Sequence, residues 1–384
     1  MLMILTFALT RRVWTDHPDR NGLCGLTLAL SGVLMTQIGL GIGSYLILIH
    51  HFATIPPPFY APAFITAHVA TGALFLGLSM ILALVSYRTR PAATPPIQTT
   101  FADYFTLTKP GISFMAGITA LAGFVLGSAG DVHFARLINT CVGVLLAAGG
   151  AGTLNMLIER DIDGRMKRTQ NRPLPSGRLN PGEVLFLGVL MSTVGVAYLS
   201  WTVNALAAVL TGVTVSVYLY VYTPLKKIST ACVTVGAVAG ALPPVVGWAA
   251  ATGKIGFEAL ALFGIVFFWQ YPHFLSLAWL YKEDYERGGL HVVSPEERST
   301  AMSVLLTSVG LLVVSVAPSL LNLTGRIYFV AAAACGGAML VYAIRFFAEP
   351  SRIHAKKIFL FSLAYVPLLV VLMLLNGPSG VWTY

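Results

Sequence analysis

The chain has 384 residues, 56% of them hydrophobic and only 10% charged, where a soluble domain carries about 25% charged residues. That excludes a soluble globular protein and points to a polytopic membrane protein. The net charge of +9 does not argue for nucleic acid, because the basic residues are confined to short segments between long apolar runs, a pattern that fits membrane orientation.

The first ten residues are apolar but too short to span a bilayer, and Arg11 and Arg12 follow them without a convincing cleavable signal. A helical span needs about 20 mostly apolar residues. Stretches of that kind occur at 22–49, 64–87, 110–130, 137–158, 183–202, 205–223, 231–251, 257–281, 301–321, 327–347 and 358–376. With the N-terminus in the cytoplasm and sides alternating, all of the 24 Lys and Arg fall inside except Arg136, Lys254 and Arg326. So strong a bias supports both the span count and the orientation, which leaves the C-terminus outside and suits a bacterial inner membrane. Cys24, Cys141, Cys232 and Cys335 all sit in apolar runs, far apart and without metal-ligand spacing, so they read as packing residues.

Between the second and third spans, RTRPAATPPIQTT (88–100) carries Pro91, Pro95 and Pro96 and no hydrophobic period. It reads as a cytoplasmic linker. The expected organisation is therefore an all-α membrane protein with a two-helix unit at 1–87, a linker at 88–100 and a nine-helix domain at 101–384.

The segment NMLIERDIDGRMKRTQNRPLPSGR (155–178) concentrates the polar chemistry. Asn155, Glu159 and Asp163 are spaced i, i+4, i+8 and line one face of a helix over roughly two turns. Such oxygen ligands suit a hard cation such as Mg²⁺, which keeps some waters and bridges to substrate phosphates. Arg160, Lys167, Arg168, Arg172 and Arg178 are close enough in sequence to hold phosphate oxygens. The bland alternative is a solvated loop that only obeys the positive-inside rule. A second acidic group, Glu283, Asp284 and Glu286 in LYKEDYERGGLH, follows the span 257–281 and faces the same compartment. Two facing acidic sites could neutralise one departing diphosphate. His273, inside that span among Trp269, Gln270, Tyr271 and Phe274, reads on the residues alone as a helix histidine bonded to a neighbouring carbonyl. Pro272 beside it, and Pro243-Pro244 in another span, are tolerated where helices line a cavity.

These stretches together resemble the intramembrane prenyltransferase superfamily and, within it, the heme O synthases, which farnesylate protoheme IX. Asn155, Glu159 and Asp163 match the NxxxDxxxD pattern with Glu159 in place of the first Asp. LTKP (107–110), YTPLKK (222–227), GALPPVVGW (240–248) and WQYPHFLSLAW (269–279) agree as well. Gly111 stands where an arginine is common, and Gly288 stands where the second motif would carry its other acid. The resemblance covers about residues 101–376. It implies a ring of nine helices around a central cavity that opens laterally to lipid. It implies farnesyl diphosphate and heme B (protoheme IX) as substrates and Mg²⁺ as cofactor. Asn155, Glu159, Asp163 and Asp284 would be the metal-holding catalytic residues, with Lys109, Arg160, Arg168, Arg172 and Lys226 on the diphosphate and His273, Trp269 and Gln270 at the heme. Ionisation of an allylic diphosphate needs no protein nucleophile, so the lack of a Ser/His/Asp constellation is expected. The alternative within the superfamily is prenylation of an aromatic quinone precursor. A transporter is disfavoured because no internal repeat with paired broken helices is evident. The N-terminal pair resembles one hairpin of heme A synthase, with His68 at the place of a heme ligand, which raises that enzyme as a partner.

Overall fold

The computed structural model describes residues 99–376 apart from Val293 and Pro295, together with eight scattered helical positions between Leu30 and Gly72. His68, most of the two N-terminal spans and nearly all of the linker lie outside the described residues. Among the described residues nine helices are long and apolar enough to cross a membrane. They are α2 (Pro110–Gly127), α3 (Phe134–Ile158), α5 (Pro181–Thr202), α6 (Ala205–Ser216, continued by a π-helical turn at Val217–Tyr222 and α7 at Thr223–Leu225), α8 (Cys232–Thr252), α9 (Phe257–Leu280), α11 (Glu297–Leu320), α12 (Arg326–Ala348) and α13 (Arg352–Leu375). Three short helices, α1 (Phe101–Leu107), α4 (Arg160–Asp163) and α10 (Lys282–Gly288), lie in the segments that precede or join them at one end.

Several spans start where the sequence supplies a terminus. Pro110 and Pro181 take first-turn positions whose N–H would be unsatisfied anyway, and the Asn180 side chain accepts from Gly182 N at 2.8 Å. The last helix begins at Arg352, six residues before the apolar run, because Ser351 caps it and Lys356 and Lys357 extend it past the apolar region. Hydropathy finds the part of a helix that matches lipid, and the cap finds its end. Pro243, Pro244 and Pro272 lie inside helices that run through them.

Neighbouring helices pack in the order α2, α3, α5, α6, α8, α9, α11, α12, α13, and α13 also packs on α9 and touches α2. In lipid the apolar effect between helices is weak, so close backbone approach must hold them. Small residues provide it at two crossings. A Cβ on Gly247 of α8 would lie 1.8 Å from Ala120 O of α2, and one on Gly150 of α3 would lie 2.4 Å from Ser192 Oγ of α5. Large apolar side chains, among them Phe114, Phe186, Val313 and Val330, point outward, as a lipid-facing surface requires. An apolar cleft lined by Thr119, Pro244, Leu262, Val366 and Met373 lies between α2, α8, α9 and α13.

Candidate active site

The polar residues converge at the end of the bundle where α3 finishes. Asn155 sits in its last turn, Glu159 ends it, and Asp163 ends α4. The bonds Glu159 N to Asn155 O (3.0 Å) and Asp163 N to Glu159 O (2.8 Å) carry the helical register through the junction. The three side chains therefore keep one face, as the spacing implies, and all are buried, Asn155 completely.

Each meets a cation from another segment. The Lys109 ammonium donates to Asn155 Oδ1, Lys226 pairs with Glu159, and Arg172 Nη1 stands 2.7 Å from Asp163 Oδ2. Lys109 reaches in from the corner before α2 with φ 48, a left-handed conformation rare for a lysine. Gly152 admits that corner, since a Cβ there would lie 3.2 Å from Thr108 O and 3.3 Å from Lys109 Cβ. Burial pulls the Lys109 pKa down to about 7 against the opposing charge of Glu159. Burial also works against ionisation of Glu159, but Lys226 and Lys109 outweigh it and hold the carboxyl below its usual value. For Lys226 burial is likewise outweighed, by Glu159 first, and its pKa rises.

Asp284, in the first turn of α10, takes a different role. Its carboxylate accepts from the backbone N–H groups of Lys167 (3.1 Å) and Arg168 (3.3 Å) and from Arg287 at 3.1 Å. It clasps the segment after α4 to the α9–α11 connection. Arg168 adds to the clasp, lying over Tyr281 and Tyr285 at 5.0 and 5.5 Å and donating to Tyr285 Oη. Gly288, where the second motif would carry its other acid, is closely packed: a Cβ there would stand 3.1 Å from Ile162 Cγ2 and 3.2 Å from Met166, so a larger residue would need those side chains to give way. Arg160 pairs with exposed Asp161 at 3.2 Å rather than with the buried acids.

His273, Trp269 and Gln270 lie apart from this cluster, at helix contacts deeper in the bundle. The His273 ring stacks between Trp269 (4.8 Å) and Phe359 (5.1 Å). Its Nδ1 is 2.8 Å from Ser362 Oγ, whose own proton goes to Phe359 O at 2.6 Å. With that proton committed, Ser362 accepts Nδ1–H and Nε2 is the acceptor nitrogen of the ring. Thus a serine on α13, not a neighbouring carbonyl, is the partner of His273. Trp269 Nε1 donates to Ser362 O (2.8 Å), and Gln270 Nε2 donates to Ala237 O (3.0 Å) and Val266 O (3.2 Å).

Tyr218, Tyr222 and Thr223 complete the cluster, and reading spacing in the acidic segment misses them. Tyr222 lies under Lys226 at 4.6 Å, Tyr218 Oη is 3.3 Å from Lys109 Nζ, and Thr223 Oγ1 accepts from Asn155 Nδ2 at 2.8 Å. Tyr222 and Thr223 were signalled by the Tyr-Thr-Pro of YTPLKK, and Tyr218 lies one turn before it. As a metal site, the Asn155, Glu159 and Asp163 oxygens suit a hard ion such as Mg²⁺. Among the described residues no three His, Cys, Asp or Glu gather to hold one alone.

Residues 116–375 match the UbiA prenyltransferase family. The chain is 40% identical over 303 residues to the protoheme IX farnesyltransferase of Koribacter versatilis, covering 75% of this chain and 98% of that one. It is 43% identical over 277 residues to the protoheme IX farnesyltransferase of Salinibacter ruber, covering 71% and 98%. The fold is similar to a UbiA homolog from Archaeoglobus fulgidus bound to GPP and Mg²⁺, with a TM-score of 0.53 at 15% identity over 71% of this chain and 99% of that one.

Proposed function

The chain belongs to the UbiA prenyltransferase family, and from that premise we propose how its charged cluster serves transfer. It is a membrane-embedded protoheme IX farnesyltransferase: it moves the farnesyl group of farnesyl diphosphate to a vinyl group of heme B, with addition of water, giving heme O and diphosphate. The observation that supports a diphosphate site best is the gathering of buried Lys226 and half-buried Lys109 and Arg172 beside buried Asn155, Glu159 and Asp163 at one end of an otherwise apolar bundle.

On this reading the isoprenoid and the porphyrin reach the bundle from the bilayer, and the diphosphate stops at the polar end. Asn155, Glu159 and Asp163 would hold Mg²⁺, which when bound supplies charge neutralisation for the leaving diphosphate. Lys109, Lys226 and Arg172 turn to the phosphate oxygens, fixing the diphosphate and stabilising the charge that grows on it. Arg168, already exposed at the clasp, adds a donor at the rim, and Arg160 would have to leave Asp161 to do so. Asp284 keeps the α4 segment in place and stands next to it as a further carboxylate. The allylic C–O bond breaks with its electron pair leaving on diphosphate. The vinyl π pair then forms the new C–C bond, and water captures the resulting cation and loses a proton. Apolar walls limit water at the allylic carbon before the vinyl group arrives. His273 would meet the heme through Nε2 as an iron ligand, with Trp269 and Gln270 setting the wall behind it.

The polar end is assigned to the cytoplasmic side of a bacterial inner membrane by the distribution of Lys and Arg. Residues 101–384 form the catalytic unit, and the N-terminal pair serves heme delivery, with heme A synthase as the partner that takes the product. Expression in a bacterial host lacking its own heme O synthase, followed by pigment extraction, tests the reading. Heme O should accumulate. Prenylated 4-hydroxybenzoate without heme O would favour a quinone-type substrate instead.

A further inference from the structure

We infer that Thr223 is a positioning residue: held by the π-helical turn before Pro224, its hydroxyl decides which end of the Asn155 amide faces the metal and diphosphate. This rests on the assignment of Asn155 to the Mg²⁺ site.

The sequence cause is Pro224. Proline lacks the N–H that would continue the helix, and its ring crowds the carbonyl four residues earlier. The chain widens to a π-helical turn over Val217–Tyr222. Five residues back from Thr223, the Tyr218 carbonyl then accepts twice, from the Thr223 backbone N–H and from its hydroxyl at 2.7 Å. The hydroxyl has a single proton, and it is now spent. Its oxygen can only accept, and it does so from Asn155 Nδ2 at 2.8 Å. With Nδ2 committed to Thr223, the other end of the amide is Oδ1, an acceptor, and Lys109 donates to it. The chain of bonds from Tyr218 O through Thr223 to Asn155 and Lys109 therefore has one direction.

That direction matters when substrate arrives. If Lys109 turns to the diphosphate, it no longer orients the amide, and a rotation of half a turn would present NH₂ where the metal needs oxygen. Thr223 is buried at 2% exposure beside the fully buried Asn155. It is the bond that remains to prevent the flip. A carboxylate would not need such a partner, because its two oxygens are equivalent.

The test uses the full-length protein in detergent and farnesyl S-thiolodiphosphate, whose sulfur replaces the bridging oxygen and slows ionisation. Its affinity is measured by calorimetry with Mg²⁺ and with EDTA. The wild type should bind more tightly with Mg²⁺; if it does not, the Mg²⁺ part of the functional reading fails before Thr223 is at issue. Given that gain, Thr223→Val should lose roughly 10- to 100-fold in Mg²⁺-dependent affinity, as for other partners that orient metal ligands. Affinity in EDTA should stay within about twofold, because Lys226 and Arg172 are untouched. Thr223→Ser should recover the Mg²⁺ dependence. In an Asn155→Asp background, adding Thr223→Val should cost within about twofold, since either oxygen serves. Wild-type Mg²⁺ dependence in Thr223→Val, or equal loss with and without Mg²⁺, would overturn the inference. So would failure of Thr223→Ser to recover, or an undiminished penalty in the Asn155→Asp background. Should Thr223→Val fail to fold, Thr223→Ala carries the same expectation in both backgrounds.

Discussion

Lys226→Met is the most direct probe of how the charged cluster is built. Lys226 and Glu159 are 8% and 6% exposed and form one ion pair. Removing one member of a buried pair leaves an uncompensated charge, which costs about 3–5 kcal/mol. Here the cost should fall near the lower end, about 3 kcal/mol, because Lys109 and Arg172 also act on Glu159. Glu159 can also relieve the loss by taking up a proton, so its carboxyl pKa should move up in the variant. The double variant Glu159→Gln/Lys226→Met removes both charges and should recover about 1–3 kcal/mol of that loss, while prenyl transfer stays lost because both groups act on substrate. Reversible unfolding in mixed detergent measures the stability, and Mg²⁺-dependent release of diphosphate measures the activity. A single variant within about 0.5 kcal/mol of wild type, the range of a neutral surface change, would refute the buried-pair argument. A double variant as unstable as the single would refute it too.

Asp103 should give a pH signature of its own. Burial opposes its ionisation, but Arg178 at 2.8 Å and the Thr100 N–H outweigh it and lower its pKa below 3.8. A carboxyl lowered on folding adds stability that is full above its unfolded value and is lost as pH falls through the folded one. Asp103→Asn should therefore lower the unfolding temperature at pH 7, and the gap to wild type should close as pH drops below about 3.8. Gly247→Ala should sharply cut folded yield, because its Cβ would meet Ala120 O at 1.8 Å, whereas Gly337→Ala, with nothing within 4 Å, should not; size-exclusion recovery decides. His273→Ala should weaken heme B binding in an absorbance titration more than farnesyl diphosphate binding, and equal losses would leave it a structural histidine. A chain beginning near Thr100 should insert and keep its turnover at saturating heme B; loss of turnover there would show that the N-terminal pair belongs to the catalytic unit.

The nine spans among the described residues were legible because lipid imposes one rule on each, and a run of about 20 apolar residues satisfies it. Their ends were less so, as Arg352 and Glu297 show, since charged first turns stand outside the apolar run. The register of Asn155, Glu159 and Asp163 was legible because helical spacing continues across the α3–α4 junction. What that spacing could not give was the partners. Lys109, Thr223 and Lys226 lie 46, 68 and 67 residues from the groups they meet, and no local period encodes a contact between helix ends. Asp284 was legible as an acid on the right side. Its engagement with two backbone N–H groups depends on where the segment after Asp163 folds, and that is tertiary information.

The pairing of every buried acid in the cluster has a consequence for the order of events. A lone carboxylate at this depth would shift its pKa and neutralise rather than wait charged for a metal. Glu159 is held charged by Lys226 and Lys109, and Arg172 pairs with the Asp163 carboxyl. Mg²⁺ alone would place more positive charge among cations already committed. A diphosphate alone would place negative charge against the acids. Arriving together, metal and diphosphate exchange with the existing pairs: acids turn to metal, and lysines and arginine turn to phosphate. The local charge changes little, and no group is left buried and unpaired at either stage. The proposed reading therefore expects positive coupling between the two ligands, each raising the affinity for the other by the same factor. A titration in which farnesyl S-thiolodiphosphate binds with equal affinity at all Mg²⁺ concentrations would contradict it, and so would Mg²⁺ binding as tightly without the diphosphate as with it.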